Sequence, residues 1–199
     1  AGIRFAMKLP GLDQLIMNKI KTELVNAFGG EFYEVIIGGA AFNKEVEAFF
    51  KRMEFPFTVG YGMTECAPII TYDDYKTAKL YSCGRIVPNM EMKIDSHDPQ
   101  NVPGELLVRG ANVFLGYYKN EEATKEVLDA DGWLHTGDMG VIDADGYLFL
   151  RGRSKCMILG PSGQNIYPEE VEAVLDTRPY VLESLVIEDN GGLTALIYP

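Results

Sequence analysis

Gly60-Tyr61-Gly62-Met63-Thr64-Glu65 sets an aromatic ring, a hydroxyl and a carboxylate side by side between glycines. Neighbouring side chains of an extended segment point to opposite faces, so Thr64 and Glu65 converge only if the chain turns. Converged, the three groups suit a nucleotide. The ring stacks on a base, the hydroxyl donates to a phosphate oxygen, and the carboxylate holds Mg2+. The same residues equally describe a tight turn with an exposed glutamate.

Three further clusters could serve the same ligand. Asp138 closes Trp133-Leu134-His135-Thr136-Gly137-Asp138, where a carboxylate held by a short glycine turn can accept both hydroxyls of a ribose, or simply be a turn residue. Arg153 and Lys155 are two apart and share one side of an extended segment, giving a forked donor and a point charge, or a solvated surface pair. Gly160-Pro161-Ser162-Gly163 reads as a mobile loop able to lie against a thin ligand, but without Gly-Lys-Ser or Gly-Lys-Thr it is no P-loop. Asp-Ala-Asp-Gly at 129–132 and at 143–146 is not a calcium loop. Val127 and Val141 stand where an oxygen ligand is needed, and Asp138 and Gly152 where the bidentate glutamate belongs. Both read as turns, the second as a hairpin, and His135 as a packing or hydrogen-bonding residue.

The elements that must position these groups follow from periodicity. Leu12, Leu15, Ile16, Ile20, Leu24 and Phe28 recur at helical spacing, predicting a core-facing helix closed by Gly29-Gly30. Tyr33 to Ile37 reads as a strand running into Gly38-Gly39-Ala40. Asn43 caps a second helix with Val46, Phe49 and Phe50 inward, and Phe55 to Val59 is the next strand. Strand, helix, strand is a parallel α/β unit, with ligands at the carboxyl ends of its strands; Gly38 to Ala40 is either a close backbone edge for a flat ligand or a plain turn. From Tyr81 onward, runs at Glu91–Ile94, Gly104–Arg109, Gly140–Ile142 and Tyr147–Leu150 are separated by turn residues, predicting an antiparallel barrel or sandwich. Asn120 caps a short helix ending at Val127, and Pro168 starts a last helix with Val171, Val174 and Leu175 inward.

Composition narrows the function classes. A net charge of -11 over 199 residues argues against a nucleic-acid or anionic-membrane surface. Cys66, Cys83 and Cys156 suggest neither a disulfide framework nor a zinc site, and two histidines leave little for a histidine metal centre. With no membrane-length apolar run and no leader pattern, a cytoplasmic setting is expected. The ends read as those of an excised piece, whose unpaired sheet edges would favour weak stability or self-association.

Four separated signals then line up in order: Tyr61 to Glu65, Thr136-Gly137-Asp138, Gly152-Arg153-Ser154-Lys155, and Gly163 to Glu172. Together with Gly38-Gly39-Ala40 and the run from Gly104-Glu105-Leu106 to Gly116-Tyr117, they resemble the adenylate-forming superfamily, most like a bacterial long-chain fatty-acyl-CoA ligase. The resemblance implies an α/β fold with an antiparallel β-barrel part. Residues 1–80 would end the parallel subdomain of the large AMP-binding domain, 81–151 form the β-barrel subdomain, and 152–199 the hinge and first half of a small carboxy-terminal lid.

It further implies ATP, Mg2+ and coenzyme A, and a two-step reaction through an acyl-adenylate. Tyr61 would stack on adenine against Gly39 and Ala40, Thr64 would bind phosphate, and Glu65 would hold Mg2+. Asp138 would take the ribose hydroxyls with Arg153 beside it, and Lys155 would be the hinge. Gly160 to Gly163 would approach the pantetheine arm, and Gly62 and Met63 would line the acyl channel. Two family elements are expected outside this sequence: an upstream phosphate loop, which Ala1 to Pro10 does not resemble, and a downstream catalytic lysine. The piece alone is therefore expected to be inactive, with any peripheral membrane contact made through segments outside it. Leu159 departs from relatives with a lysine there. The competing expectations are adenylation of an amino or aryl acid for a carrier-protein thiol, a non-catalytic nucleotide-binding homologue, and a purely structural α/β protein.

Overall fold

The computed structural model describes residues 12–160, 163–189 and 191–199, leaving out the side chain of Leu12. Helix α1 (Leu12–Ala27) ends where the amides of Gly29 and Gly30 return to the carbonyls of Asn26 and Val25. Its buried stripe centres on Met17, with Ile20 and Leu24 alongside; Leu15 and Phe28 are exposed, contrary to expectation. At 100° per residue Leu15 lies across the helix from Met17. Strand β1 (Val35–Ile37) and strand β2 (Phe57–Val59) pair in parallel, Val35 opposite Phe57 and Ile37 opposite Val59.

Helix α2 (Lys44–Arg52) makes the crossover, and Asn43 Oδ1 caps it by accepting the amides of Glu45 and Val46. Phe49 and Phe50 pack inward beside Phe55 and Phe57, but Val46 is exposed. Glu47 takes the inner position instead, one turn before Phe50, where its carboxylate accepts the Tyr81 amide.

The second half is antiparallel. Strand β3 (Tyr61–Gly62), strand β4 (Ile69–Tyr72) and strand β5 (Arg85–Ile86) form one sheet. Strands β6 (Met90–Asp95), β7 (Gly104–Gly110), β8 (Leu134–Ile142) and β9 (Leu148–Arg153) form a four-stranded meander. An Arg85–Tyr147 bridge joins the two sheets. The second Asp-Ala-Asp-Gly is the β8–β9 hairpin, as its sequence implied. Asn120 caps helix α3 (Glu121–Val127) through the Ala123 amide. One apolar core spans both sheets: Cys66, Ile70, Ile94, Leu106, Val108, Leu134 and Leu148 are buried together.

After β9, a single turn of 3-10 helix (Ser154–Cys156) leads to the hairpin of β10 (Ile158–Leu159) and β11 (Asn165–Ile166). Helix α4 (Pro168–Leu175) has proline in its first turn, where a missing amide costs nothing. Val171 and Leu175 are partly buried, but Val174 is exposed, because eight residues offer only two turns and Glu172 turns inward to accept the Val186 amide. Strands β12 (Glu183–Asp189) and β13 (Gly192–Tyr198) complete the order. Among the described residues no helix is long and apolar enough to cross a membrane. Leu106 is fully buried in the shared core, so Leu106→Ala in the full-length protein should cost about 3 kcal/mol, read as a lower denaturation midpoint. A loss below about 1 kcal/mol would show that this core is not shared as described.

Candidate functional site

The parallel pair ends on one rim of an open cleft of about 450 Å³. Ile37, Gly38 and Gly39 reach it from β1, and Tyr61, Gly62, Met63 and Thr64 from the chain that follows β2. The carboxyl ends of parallel strands are where such sheets place ligands. Apolar groups dominate the lining, and Tyr61, Thr64, Thr71 and Tyr72 are its hydroxyl-bearing members. Ala40 is exposed and Glu65 partly buried, and both lie outside this lining.

The chain turns at Thr64 as the chemistry requires. Tyr61 and Gly62 pair with Thr71 and Ile69 across a bulge, and Thr64–Cys66 then forms a turn of 3-10 helix. Gly62 is fixed by packing more than by ligand access, since a Cβ there would sit 1.9 Å from the carbonyl oxygen of Pro68. The Met63 amide donates to that same oxygen at 2.8 Å.

Asp138 lies outside this lining and centres a polar cluster that is joined to it through Tyr61. The phenol of Tyr61 donates to its Oδ2 at 2.5 Å, and Nε of Arg153 donates to its Oδ1 at 3.1 Å. Burial and the adjacent carboxylate push the Tyr61 phenol well above its ordinary range, so it is a donor at any physiological pH. Asp138 lies in strand, not in the free turn its sequence suggested: β8 runs through it, and Asp138 faces Arg153 across the β8–β9 ladder. The glycine turn survives as an irregularity within β8, with Gly137 at φ +74°.

Glu105, which sequence reasoning left without a role, supports that irregularity. Its Oε1 accepts the Gly137 amide at 2.9 Å, and its Oε2 lies 3.1 Å from Nδ1 of His135. Thr136 accepts the Asp138 amide at 3.1 Å while donating to the Leu106 carbonyl. His135 thus hydrogen-bonds Glu105, while its Nε2 lies 3.8 Å from Asp129, beyond hydrogen-bonding distance. The only sequence signal for Glu105 was its place in Gly104-Glu105-Leu106.

Arg153 and Lys155 do not share a strand face. The chain leaves β9 at Arg153 and coils at Ser154–Cys156, so Lys155 is exposed and makes no hydrogen bond or ion pair with the described residues. The segment is held instead from α4. Glu169 Oε1 lies 3.4 Å from the Arg153 amide, and Glu170 pairs with Arg151 at 3.2 Å. Gly160 is buried and its amide donates to the Gln164 carbonyl, so the loop is the tip of the β10–β11 hairpin. Pro161 and Ser162 lie outside the described residues, as does the stretch Ala1 to Pro10. Leu159 is exposed on β10.

Glu65 is a single hard oxygen donor. Its Oε1 accepts the Tyr117 hydroxyl at 2.8 Å, while Oε2 takes no hydrogen bond among the described residues. No group of three or more acidic, histidine or cysteine side chains suited to a metal exists among those residues. One carboxylate fits Mg2+ delivered by phosphates, which keeps most of its shell as phosphate and water oxygens. It does not fit a protein-built metal cage.

The chain itself has known relatives. The family model of AMP-binding enzymes matches residues 3–118, and the chain belongs to that family. Over 186 residues it is 33% identical to a long-chain-fatty-acid–CoA ligase of Bos taurus, covering 93% of this chain and 25% of that protein. It is 36% identical to a 2-succinylbenzoate–CoA ligase of Bacillus cytotoxicus, covering 86% and 37%. A 4-coumarate–CoA ligase of Oryza sativa is 38% identical, covering 77% and 29%. Among solved structures, o-succinylbenzoate CoA synthetase of Bacillus subtilis in complex with its acyl-adenylate intermediate matches with a TM-score of 0.75 at 30% identity, covering 88% and 40%. ATP-bound MatB of Rhodopseudomonas palustris matches with a TM-score of 0.71 at 31% identity, covering 82% and 35%. The chain therefore spans 25% to 40% of the length of these proteins.

Two glycines of the rim should respond differently to a methyl group. A Cβ on Gly39 meets nothing within 4 Å and is opposed only by φ +91°, whereas one on Gly62 collides with backbone. Gly39→Ala should cost about 1 kcal/mol and Gly62→Ala clearly more, as compared by thermal denaturation. Equal losses would show that the β3–β4 bulge relaxes freely.

Proposed function

We propose that the full-length protein containing this chain is an ATP-dependent acid–thiol ligase acting on a carboxylic acid and coenzyme A. The carboxylate attacks the α-phosphorus of ATP, pyrophosphate leaves, and the acyl-adenylate remains. The thiol then attacks the acyl carbon, the carbon–oxygen bond to phosphate breaks, and AMP leaves with that bonding pair. The observation that carries this reading is the Tyr61–Asp138–Arg153 cluster beside an apolar cleft, in a chain of the AMP-binding family.

In this reading the Tyr61 ring and the Gly39 backbone flank the adenine, with Ala40 further along the same edge. Asp138 accepts the ribose hydroxyls; each carboxylate oxygen has a second lone pair after binding Tyr61 or Arg153. Thr64 would donate to phosphate, and Glu65 would hold Mg2+. Bound there, Mg2+ supplies charge neutralisation to the phosphates. No protein nucleophile is needed, because the work is orientation and stabilisation of growing oxygen charge. Lys155 is the hinge of the lid, and Gly160 and Gly163 face the pantetheine arm after rotation.

A fatty acid is the acid we favour, in a cytoplasmic setting. The support is the apolar lining contributed by Ile36, Met63 and Ile69 and the fatty-acid ligases among the relatives. An aryl acid is the second reading, favoured by the succinylbenzoate and coumarate ligases. The test is carboxylate-dependent exchange of labelled pyrophosphate into ATP, run on the full-length protein with a panel of fatty and aryl acids. Long-chain acids should support exchange, and Asp138→Ala should lower kcat/KM for ATP by about a hundredfold, as loss of a group with two charged or polar partners and a ligand does. No exchange with any acid, or a variant equal to wild type, would sink the proposal.

A further inference from the structure

The segment between β7 and α3 has no part in the chemistry above, yet it grips the Thr64–Cys66 turn at several points. Nδ2 of Asn112 donates to the Cys66 carbonyl at 2.7 Å and to the Ile69 carbonyl at 3.0 Å. The Phe114 amide donates to the Glu65 carbonyl at 2.8 Å. The Tyr117 hydroxyl then reaches the Glu65 side chain itself. Two of the first three bonds fix the backbone of the turn and one fixes the start of β4, while the fourth fixes the Glu65 carboxylate.

The position of Tyr117 is itself built. Its amide donates to Oγ1 of Thr124 at 2.9 Å, which anchors it to α3. Its ring meets Phe114 edge to face at 4.9 Å. Gly116, at φ +137°, allows the approach: a Cβ there would lie 2.7 Å from Cγ2 and 2.9 Å from Oγ1 of Thr124. Glu65 is only partly buried, and the terminal torsion of a glutamate is broad, so without this bond its carboxylate would rotate freely.

We infer that Tyr117 is a positioning residue for the divalent cation that accompanies the nucleotide: its hydroxyl holds Oε1 of Glu65 and leaves Oε2 aimed for the metal. This rests on the reading of Glu65 as the Mg2+ ligand. Partners that orient a metal-binding carboxylate typically change metal affinity ten- to a hundredfold when removed. A merely structural Tyr117 would affect the nucleotide seat and the metal alike.

The test uses the full-length protein and Mn2+ as probe, its binding followed by electron paramagnetic resonance in the presence of α,β-methylene-ATP. AMP affinity without metal is measured alongside by calorimetry. Tyr117→Phe, which keeps the ring against Phe114, should weaken Mn2+ about tenfold and leave AMP affinity unchanged; Glu65→Gln should weaken Mn2+ at least as much. If Glu65→Gln weakens Mn2+ and Tyr117→Phe does not, the inference about Tyr117 is overturned while the proposed role of Glu65 stands. If neither changes it, the metal role of Glu65 falls and the inference with it. If Tyr117→Phe weakens Mn2+ and AMP together, Tyr117 is a structural residue and the inference is overturned.

Discussion

The carboxylate of Asp138 accepts the phenol of Tyr61 on one oxygen and the guanidinium of Arg153 on the other, joining segments 77 and 15 residues away in sequence. Its side chain is only 13% exposed, whereas that of Arg153 is 65% exposed. An ion pair so open to water contributes about 0–1 kcal/mol to stability, so its value lies in geometry. A nearly buried acceptor, by contrast, must have its donors in place. The chain that follows the parallel pair, strand β8 of the meander and the end of β9 therefore have to meet at one point, and the rest of the fold is arranged around that meeting.

Two devices keep it there. Within the meander, Glu105 holds the Gly137 amide and His135, so the irregularity that turns Asp138 toward Tyr61 has a fixed support. At the other end, α4 holds the exit from β9 through Glu169 and Glu170. Gly152 leaves room for that contact, since a Cβ there would lie 2.6 Å from Oε2 of Glu169. Arg153 thus bonds Asp138 through its side chain and meets Glu169 of α4 through its backbone amide. A residue so placed feels any movement of the segment that follows.

What the sequence made legible was local. The parallel strand–helix–strand unit, the Asn43 and Asn120 caps and the β8–β9 hairpin follow from periodicity and turn chemistry, and all are present. The candidate residues Tyr61, Asp138 and Arg153 were legible by type, and the structure brings their side chains together. What was not legible depended on partners distant in the chain. Helix faces at Leu15, Val46 and Val174 were assigned inward from apolarity alone, whereas Met17, Glu47 and Glu172 found inward partners. Arg153 and Lys155 were read as a same-face pair because nothing local announces the 3-10 turn at Ser154. Glu105 and Tyr117 act on residues 32 and 52 positions away, a relation that no spacing rule reports.

On the proposed function the adenine of a bound nucleotide stacks on the Tyr61 ring and its ribose hydroxyls bind Asp138, which stays bonded to both Tyr61 and Arg153. A crystal structure of the full-length protein with AMP tests it most directly. The account predicts both ribose hydroxyls within hydrogen-bonding distance of Asp138 and the adenine against the Tyr61 ring. AMP bound with its ribose away from Asp138, or seated elsewhere on the molecule, would contradict it.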